Sequence, residues 1–216
     1  MKKKNDLPRL PLSKIAARAF TLVELLAVIA VMVILMALSA PLVGSLRSAG
    51  NMNQSVLEVS MFIEQAQAYA MANNTYVWVG FREDATKPSV TIVAVAGTTG
   101  VVSDIDNAST RRVVNKPQEH YNLRLHDVTG LPGMAPADSV STSDIKTFLH
   151  KVGASSVTFE KVIQFSPHGG ARIKPTAISR WIQIGLQPMN GNTPNDKNMA
   201  ALQIAGLTGQ VRVFRP

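Results

Sequence analysis

The chain has 216 residues, 46% of them hydrophobic, so it has enough apolar material for a folded domain plus an appendage. It has no cysteine, which excludes disulfides, thiolate metal sites and a cysteine nucleophile. The formal net charge of +8 is unevenly spread. Residues 1–19 carry Lys2, Lys3, Lys4, Arg9, Lys14 and Arg18 against Asp6 alone, so most of the excess is an N-terminal tag rather than a nucleic-acid surface.

Beyond this basic leader, Leu25 to Leu46 holds no charged residue. At 1.5 Å per residue the run is about 33 Å long, enough to cross a hydrocarbon core of about 30 Å. It is apolar all round, so it predicts a membrane span with the basic leader retained in the cytoplasm. It is longer than the apolar region of a secretory signal, and its natural break lies before it, ahead of Phe20. Glu24 stands in the first turns of this helix, where a lone carboxylate is costly in lipid and marks a functional position. If the chain is cut before Phe20, the new amine lies four residues from Glu24 on one helix face. The carboxylate can then meet its own terminus or that of a neighbouring subunit. Pro41 removes an amide donor late in the run and predicts a kink or local loosening.

The helical period continues. Met52, Val56, Val59, Ile63, Ala66 and Ala70 recur at spacings of three and four, one apolar face of a helix that ends near Asn73-Asn74. A helix from 20 to 72 would be about 80 Å long. From Thr75 the period changes to two. Tyr76–Phe81 and Ser89–Val95 read as strands joined by a polar turn, and Gly97–Ser109 reads as loop. In 110–155 only a strand near Tyr121–Leu125 and a helical turn near Asp144–His150 suggest themselves. Val157–Phe159, Val162–Phe165, Trp181–Leu186, Ala200–Ile204 and Val211–Phe214 complete an antiparallel set. Gly206–Gly209 is its last hairpin turn, and Gln187–Lys197 is a loop.

Ala19-Phe20-Thr21-Leu22-Val23-Glu24-Leu25-Leu26 after a basic leader resembles the cleavage signal of type IV pilins and type II secretion pseudopilins. The later run Phe62-Ile63-Glu64-Gln65-Ala66-Gln67-Ala68-Tyr69-Ala70 is similar to the GspH/FimT minor pseudopilin group. So are Val162-Ile163-Gln164-Phe165-Ser166-Pro167-His168-Gly169-Gly170-Ala171 and Thr208-Gly209-Gln210-Val211. The resemblance implies an α+β, pilin-like fold: a long N-terminal helix, half transmembrane and half amphipathic, packed on an antiparallel β-sheet domain. It divides the chain into a cleaved leader (1–19), an assembly helix (20–46), an amphipathic helix (47–73) and a head (74–216) outside the bacterial cytoplasmic membrane.

It also implies a structural subunit and not an enzyme. A prepilin peptidase and methylase would cut between Ala19 and Phe20 and methylate the Phe20 amine. Glu24 would assist assembly, Pro41 would let the helix bend, and the partners would be other pilins or pseudopilins and an inner-membrane assembly platform. Ala19 departs from the family, where glycine usually precedes the cut. Residues 97–155 match nothing in the group and form a long insert.

Phosphate-loop, nucleophile-elbow, dinucleotide and zinc-protease motifs are absent from the sequence. His120, His126, His150 and His168 have no ligand-like spacing. Asp104-Ile105-Asp106-Asn107 offers oxygens of the kind calcium takes, but equally an ordinary turn, and no EF-hand glutamate follows. Some FimT-like pilins bind DNA through basic C-terminal residues, which makes Arg212 and Arg215 the DNA candidates. Strand alternation puts them on opposite faces, which argues against a two-arginine clamp. The rival readings are a DNA-binding minor pilin and a signal-anchored periplasmic protein that never polymerises.

Overall fold

The computed structural model describes residues 21–84 and 86–216, with the side chains of 37–51 outside what it describes. The leader, Ala19 and Phe20 therefore lie outside the described residues. The chain divides into two compact units, 1–44 and 45–216. Helix α1 (Leu22–Ala72) is continuous in the backbone through Pro41 and Gly50, so neither residue ends it.

In the first unit the described side chains are open, and all but Thr21 and Glu24 are apolar. Leu22 through Met36 expose their large hydrophobic groups, Leu22 at 77% and Met36 at 72%. Among the described residues no helix is long and apolar enough to cross a membrane. The expected span, 25–46, runs into residues whose side chains are not described.

The second unit is α+β, with the helix packed on antiparallel sheets. Its strands are β1 (Val77–Glu83), β2 (Ser89–Gly97), β3 (Arg111–Tyr121), β4 (Leu123–Leu125), β5 (Asp138–Ser139), β6 (Phe148–Val152) and β7 (Ser155–Phe159). Then follow β8 (Lys161–Phe165), β9 (Ala171–Arg172), β10 (Trp181–Asn190), β11 (Thr193–Pro194), β12 (Ala200–Ala205) and β13 (Val211–Phe214). One sheet has the order β3-β2-β1-β8-β9, a second runs β11-β10-β12-β13 with β4 and β5 also on β10, and β6-β7 is a separate hairpin. Every pairing is antiparallel except β5 on β10.

The predicted helix face is the core face: Met52, Val56, Val59, Ile63, Ala66 and Ala70 are all buried, joined by Phe62. Val77, Val79 and Phe81 of β1 and Ile163 and Phe165 of β8 meet it from one sheet, and Ile182, Ile184, Leu202 and Ile204 from the other. α1 ends at Ala72, and Asn74 takes the left-handed conformation (φ 48°) that closes the helix.

The opposite face of the first sheet is also covered, and this accounts for the insert. Trp78, Val93, Val95 and Val162 point away from α1 and pack with Ile105, Ile145, Phe148 and Phe159 as a second core. All nine residues of β2 are buried in consequence. The rings of Phe148 and Phe159 stack with centroids 5.5 Å apart, directly over Gly80. A Cβ there would lie 2.7 Å from Phe159 Cβ and 2.8 Å from Phe148 Cζ, so glycine is the opening through which the hairpin reaches the sheet.

Three expectations are corrected. Asp144–His150 is no helical turn: it leads into strand β6, and the turn of 3-10 helix lies earlier, at Val140–Thr142. Residues 111–120, to which the sequence assigned no element, form most of the eleven-residue edge strand β3. Gln187–Lys197 is not all loop, because β10 runs to Asn190 and returns through β11.

Candidate functional site

Thr21 precedes the first helical residue, and its carbonyl accepts from Leu25 N at 3.2 Å, the first bond of the helix. Its hydroxyl oxygen accepts from Glu24 N at 3.2 Å. In return the Glu24 carboxylate accepts from Thr21 N at 3.0 Å and from Thr21 Oγ1 at 2.9 Å. This reciprocal arrangement is a capping box, which satisfies amides that the first turn leaves without partners. The sequence reading considered only the amine of Phe20 as a partner for Glu24. The Thr-x-x-Glu spacing was the signal for the second role.

The three sequence stretches that carry the resemblance to the GspH/FimT group converge on one side chain. Gln67 of α1 donates through Nε2 to Gly169 O at 3.0 Å and to Thr208 O at 2.5 Å. It thus ties the turn after β8 and the turn before β13 to the helix. Both turns use left-handed glycines, Gly169 with φ 86° and Gly209 with φ 68°. A Cβ on Gly209 would overlap Gly169 O and Gln67 Nε2, and one on Gly169 would lie 2.8 Å from Met71 Sδ. Ala171 N also donates to Gly206 O at 2.8 Å, so the two sheets are linked backbone to backbone at this joint.

Arg212 and Arg215 are not brought together. The Arg212 guanidinium lies over the Trp181 ring, 5.0 Å from its centroid. Arg215 instead donates to Asn53 Oδ1 on α1. One arginine therefore decorates the open edge strand and the other fastens the chain end to the helix.

The two aspartates diverge as well. Asp104 is buried, and Thr99 fills its oxygens, donating from N at 2.9 Å and from Oγ1 at 2.5 Å. Burial alone would push this carboxyl up, but the Thr99 hydroxyl and the amides of Thr99, Val101 and Gly100 outweigh it and hold the carboxyl below its ordinary value. Asp106 pairs with Lys146 at 2.7 Å. Both carboxylates are thus committed to protein partners, and among the described residues no group of three or more His, Asp or Glu is placed to hold a metal ion.

The histidines are dispersed. His126 and His168 are exposed. His150 is held below its ordinary value by burial and by the nearby Arg111 charge. His120 is 6% exposed on β3, with Nδ1 3.5 Å from Glu58 Oε2 on α1 and Nε2 without a partner among the described residues. Burial lowers its pKa, against the pull of Glu58. It is therefore neutral at pH 7, and its contact with Glu58 is not an ion pair.

Compared with protein-family models, curated proteins and solved structures, the chain matches none.

Proposed function

We propose that the chain is a structural pilin-like subunit of the minor pseudopilin kind. It is made with a basic leader and held in the cytoplasmic membrane with its β-rich head outside. Prepilin peptidase cuts between Ala19 and Phe20 and the new amine is methylated. The subunit then joins a type II secretion pseudopilus or a type IV pilus through its helix. The assembly would be heterologous and open, as helical filaments are.

The observation that carries this reading is the two-part character of α1. Residues 22–36 are exposed and, apart from Glu24, apolar, whereas 52–70 bury a single face against the sheets. An exposed apolar surface of that extent marks a membrane or protein interface. Lipid covers it before assembly, and the equivalent helices of neighbouring subunits cover it afterwards. Pro41 would give the helix its bend in the filament.

The test is the mature N-terminus of the protein from the membrane fraction of its native host, read by mass spectrometry. A peptide that begins at N-methylated Phe20 is the expected result. An intact chain through Ala19-Phe20 would overturn processing and with it the filament role.

A further inference from the structure

The β6–β7 hairpin covers the second core without joining either large sheet: it is a two-stranded sheet of its own. Strand alternation puts Phe148, His150 and Val152 of β6 on one face, and the burial pattern makes it the inner one. Phe148 and Phe159 are buried in the core, and Val152 and Val157 pack against it half-buried. His150 is the cross-strand partner of Val157 and is half-buried as well.

Among the described residues a single hydrogen bond ties the hairpin to another element. Arg111, at the start of β3, donates through Nη2 to Leu149 O at 3.4 Å. Its guanidinium lies over the Phe148 ring, 5.3 Å from the centroid. Nε and Nη1 of the same group are buried and have no partner. A guanidinium keeps its charge at every accessible pH, so this one is a buried cation without a bonded anion. Asp106 attracts it from the 3-10 turn Val102–Asp106, but that carboxylate is bonded to Lys146 at 2.7 Å.

His150 shares the inner face with the ring that the guanidinium covers, so the imidazole and Arg111 are neighbours under the hairpin. A neutral imidazole can stand there without conflict. An imidazolium would be a second cation in a place that burial has stripped of water. The other charged groups do not relieve it. Lys151, next on β6, is exposed and also cationic, and β7 has no ionisable residue. Glu160 is exposed and lies past the Phe148–Phe159 end of the ladder.

We propose that the hairpin is an acid-released cover: protonation of His150 beside Arg111 lifts β6 and β7 from the first sheet and uncovers the apolar face around Trp78, while α1 and both large sheets stay folded. Burial and then the Arg111 charge disfavour the charged imidazole in the closed form. The open form, reached by water, takes up the proton readily. Closure is therefore whole above the ordinary histidine value of about 6.5 and is lost as pH falls through the depressed closed-state value. The inference does not depend on the filament reading.

The experiment uses the full-length chain in non-ionic detergent, with Trp181→Phe so that Trp78 is the sole remaining tryptophan. Emission and iodide quenching of Trp78 are followed against pH, with far-ultraviolet circular dichroism on the same samples. A reversible red shift and stronger quenching are expected below about pH 6.5, with the dichroism unchanged. His150→Gln should lose the shift. Arg111→Gln keeps a donor for Leu149 O without the charge and should show a smaller shift, whereas His120→Phe should leave it as in the parent. No acid shift of Trp78, a shift that coincides with loss of the dichroism, or the parent's profile in His150→Gln would overturn the inference. If His150→Gln fails to fold, Arg111→Gln makes the same comparison, and the parent's profile there would overturn it.

Discussion

Gln67 offers the most direct check on the packing argument, because its replacement and that of Gly209 act on the same few atoms. Gln67→Ala removes two hydrogen bonds, to Gly169 O and Thr208 O. At about 0.5–1.5 kcal/mol each the loss is about 1–3 kcal/mol, toward the low end because water can reach part of the site. Gly209→Ala adds left-handed strain at φ 68°, about 1–2 kcal/mol. It also adds overpacking of about 1–3 kcal/mol, because the new Cβ meets a backbone oxygen that cannot rotate away. The expected total is about 2–5 kcal/mol. In the double variant the overlap with Gln67 disappears, while the overlap with Gly169 O and the backbone strain remain. The double variant should therefore cost less than the sum of the singles by about 1 kcal/mol, as for residues in contact. Guanidinium unfolding of the full chain in detergent, followed by tryptophan emission, gives all three values. Strict additivity, or a Gly209→Ala cost below about 0.5 kcal/mol as at an ordinary surface site, would refute the joint.

Three further outcomes are expected. Glu24→Gln keeps an oxygen for the Thr21 amide, since glutamine also serves in a capping box. Amide exchange in the first turn should stay as in the parent while filament assembly falls. If assembly is unchanged in Glu24→Gln and lost only in Thr21→Ala, the carboxylate is a cap and nothing more. The lowered pKa of His120 means that the folded chain binds fewer protons than the unfolded one below the ordinary histidine value of about 6.5. Its contribution is whole above that pH and is lost as pH falls through the depressed folded value, so stability should drop between pH 7 and 5. His120→Phe should shrink this drop, and an identical pH profile would refute the assignment. Phe159→Ala should cost about 3–5 kcal/mol in the same unfolding assay. A cost below about 0.5 kcal/mol would mean that the β6–β7 hairpin is an appendage and not the cover of the second core.

The elements legible in the sequence were those with one buried face and an unambiguous period. α1 declared its core face through the spacing of Met52, Val56, Val59, Ile63, Ala66 and Ala70, and β12 and β13 through short apolar runs on either side of a glycine turn. β2 was found, but its meaning was not. Ser89–Gly97 is almost continuously apolar, the pattern of a strand buried on both faces, and that pattern already required a second layer. The layer came from the insert, whose strands were hidden for a physical reason. β3 reads Arg-Arg-Val-Val-Asn-Lys-Pro-Gln-Glu-His-Tyr, and only its position at a sheet edge lets it keep so many charges and Pro117 within a ladder. Likewise β6 and β7 alternate weakly because they bury only their inward residues. Of the pair, the sequence showed only the end of β7, as the short strand Val157–Phe159, while β6 stayed hidden.

The site residues divide along the same line. Gln67, Gly169 and Gly209 were visible only as fragments of three motifs, and nothing in a linear sequence says that one amide nitrogen joins two turns 39 residues apart. Glu24 was visible, but only a terminal amine, its own or a neighbour's, was weighed as its partner. The capping box gives it another that needs no filament, and this sharpens the proposed function. A carboxylate already held by Thr21 N and Oγ1 keeps lone pairs free on its other oxygen. That oxygen can still accept from a neighbouring amine. In the proposed filament the cap would position the carboxylate before a neighbour arrives, so that assembly would not carry the entropy cost of ordering it. Charge and cap are separable at this residue, and for that reason the neutral isostere, rather than alanine, distinguishes a filament contact from a helix start.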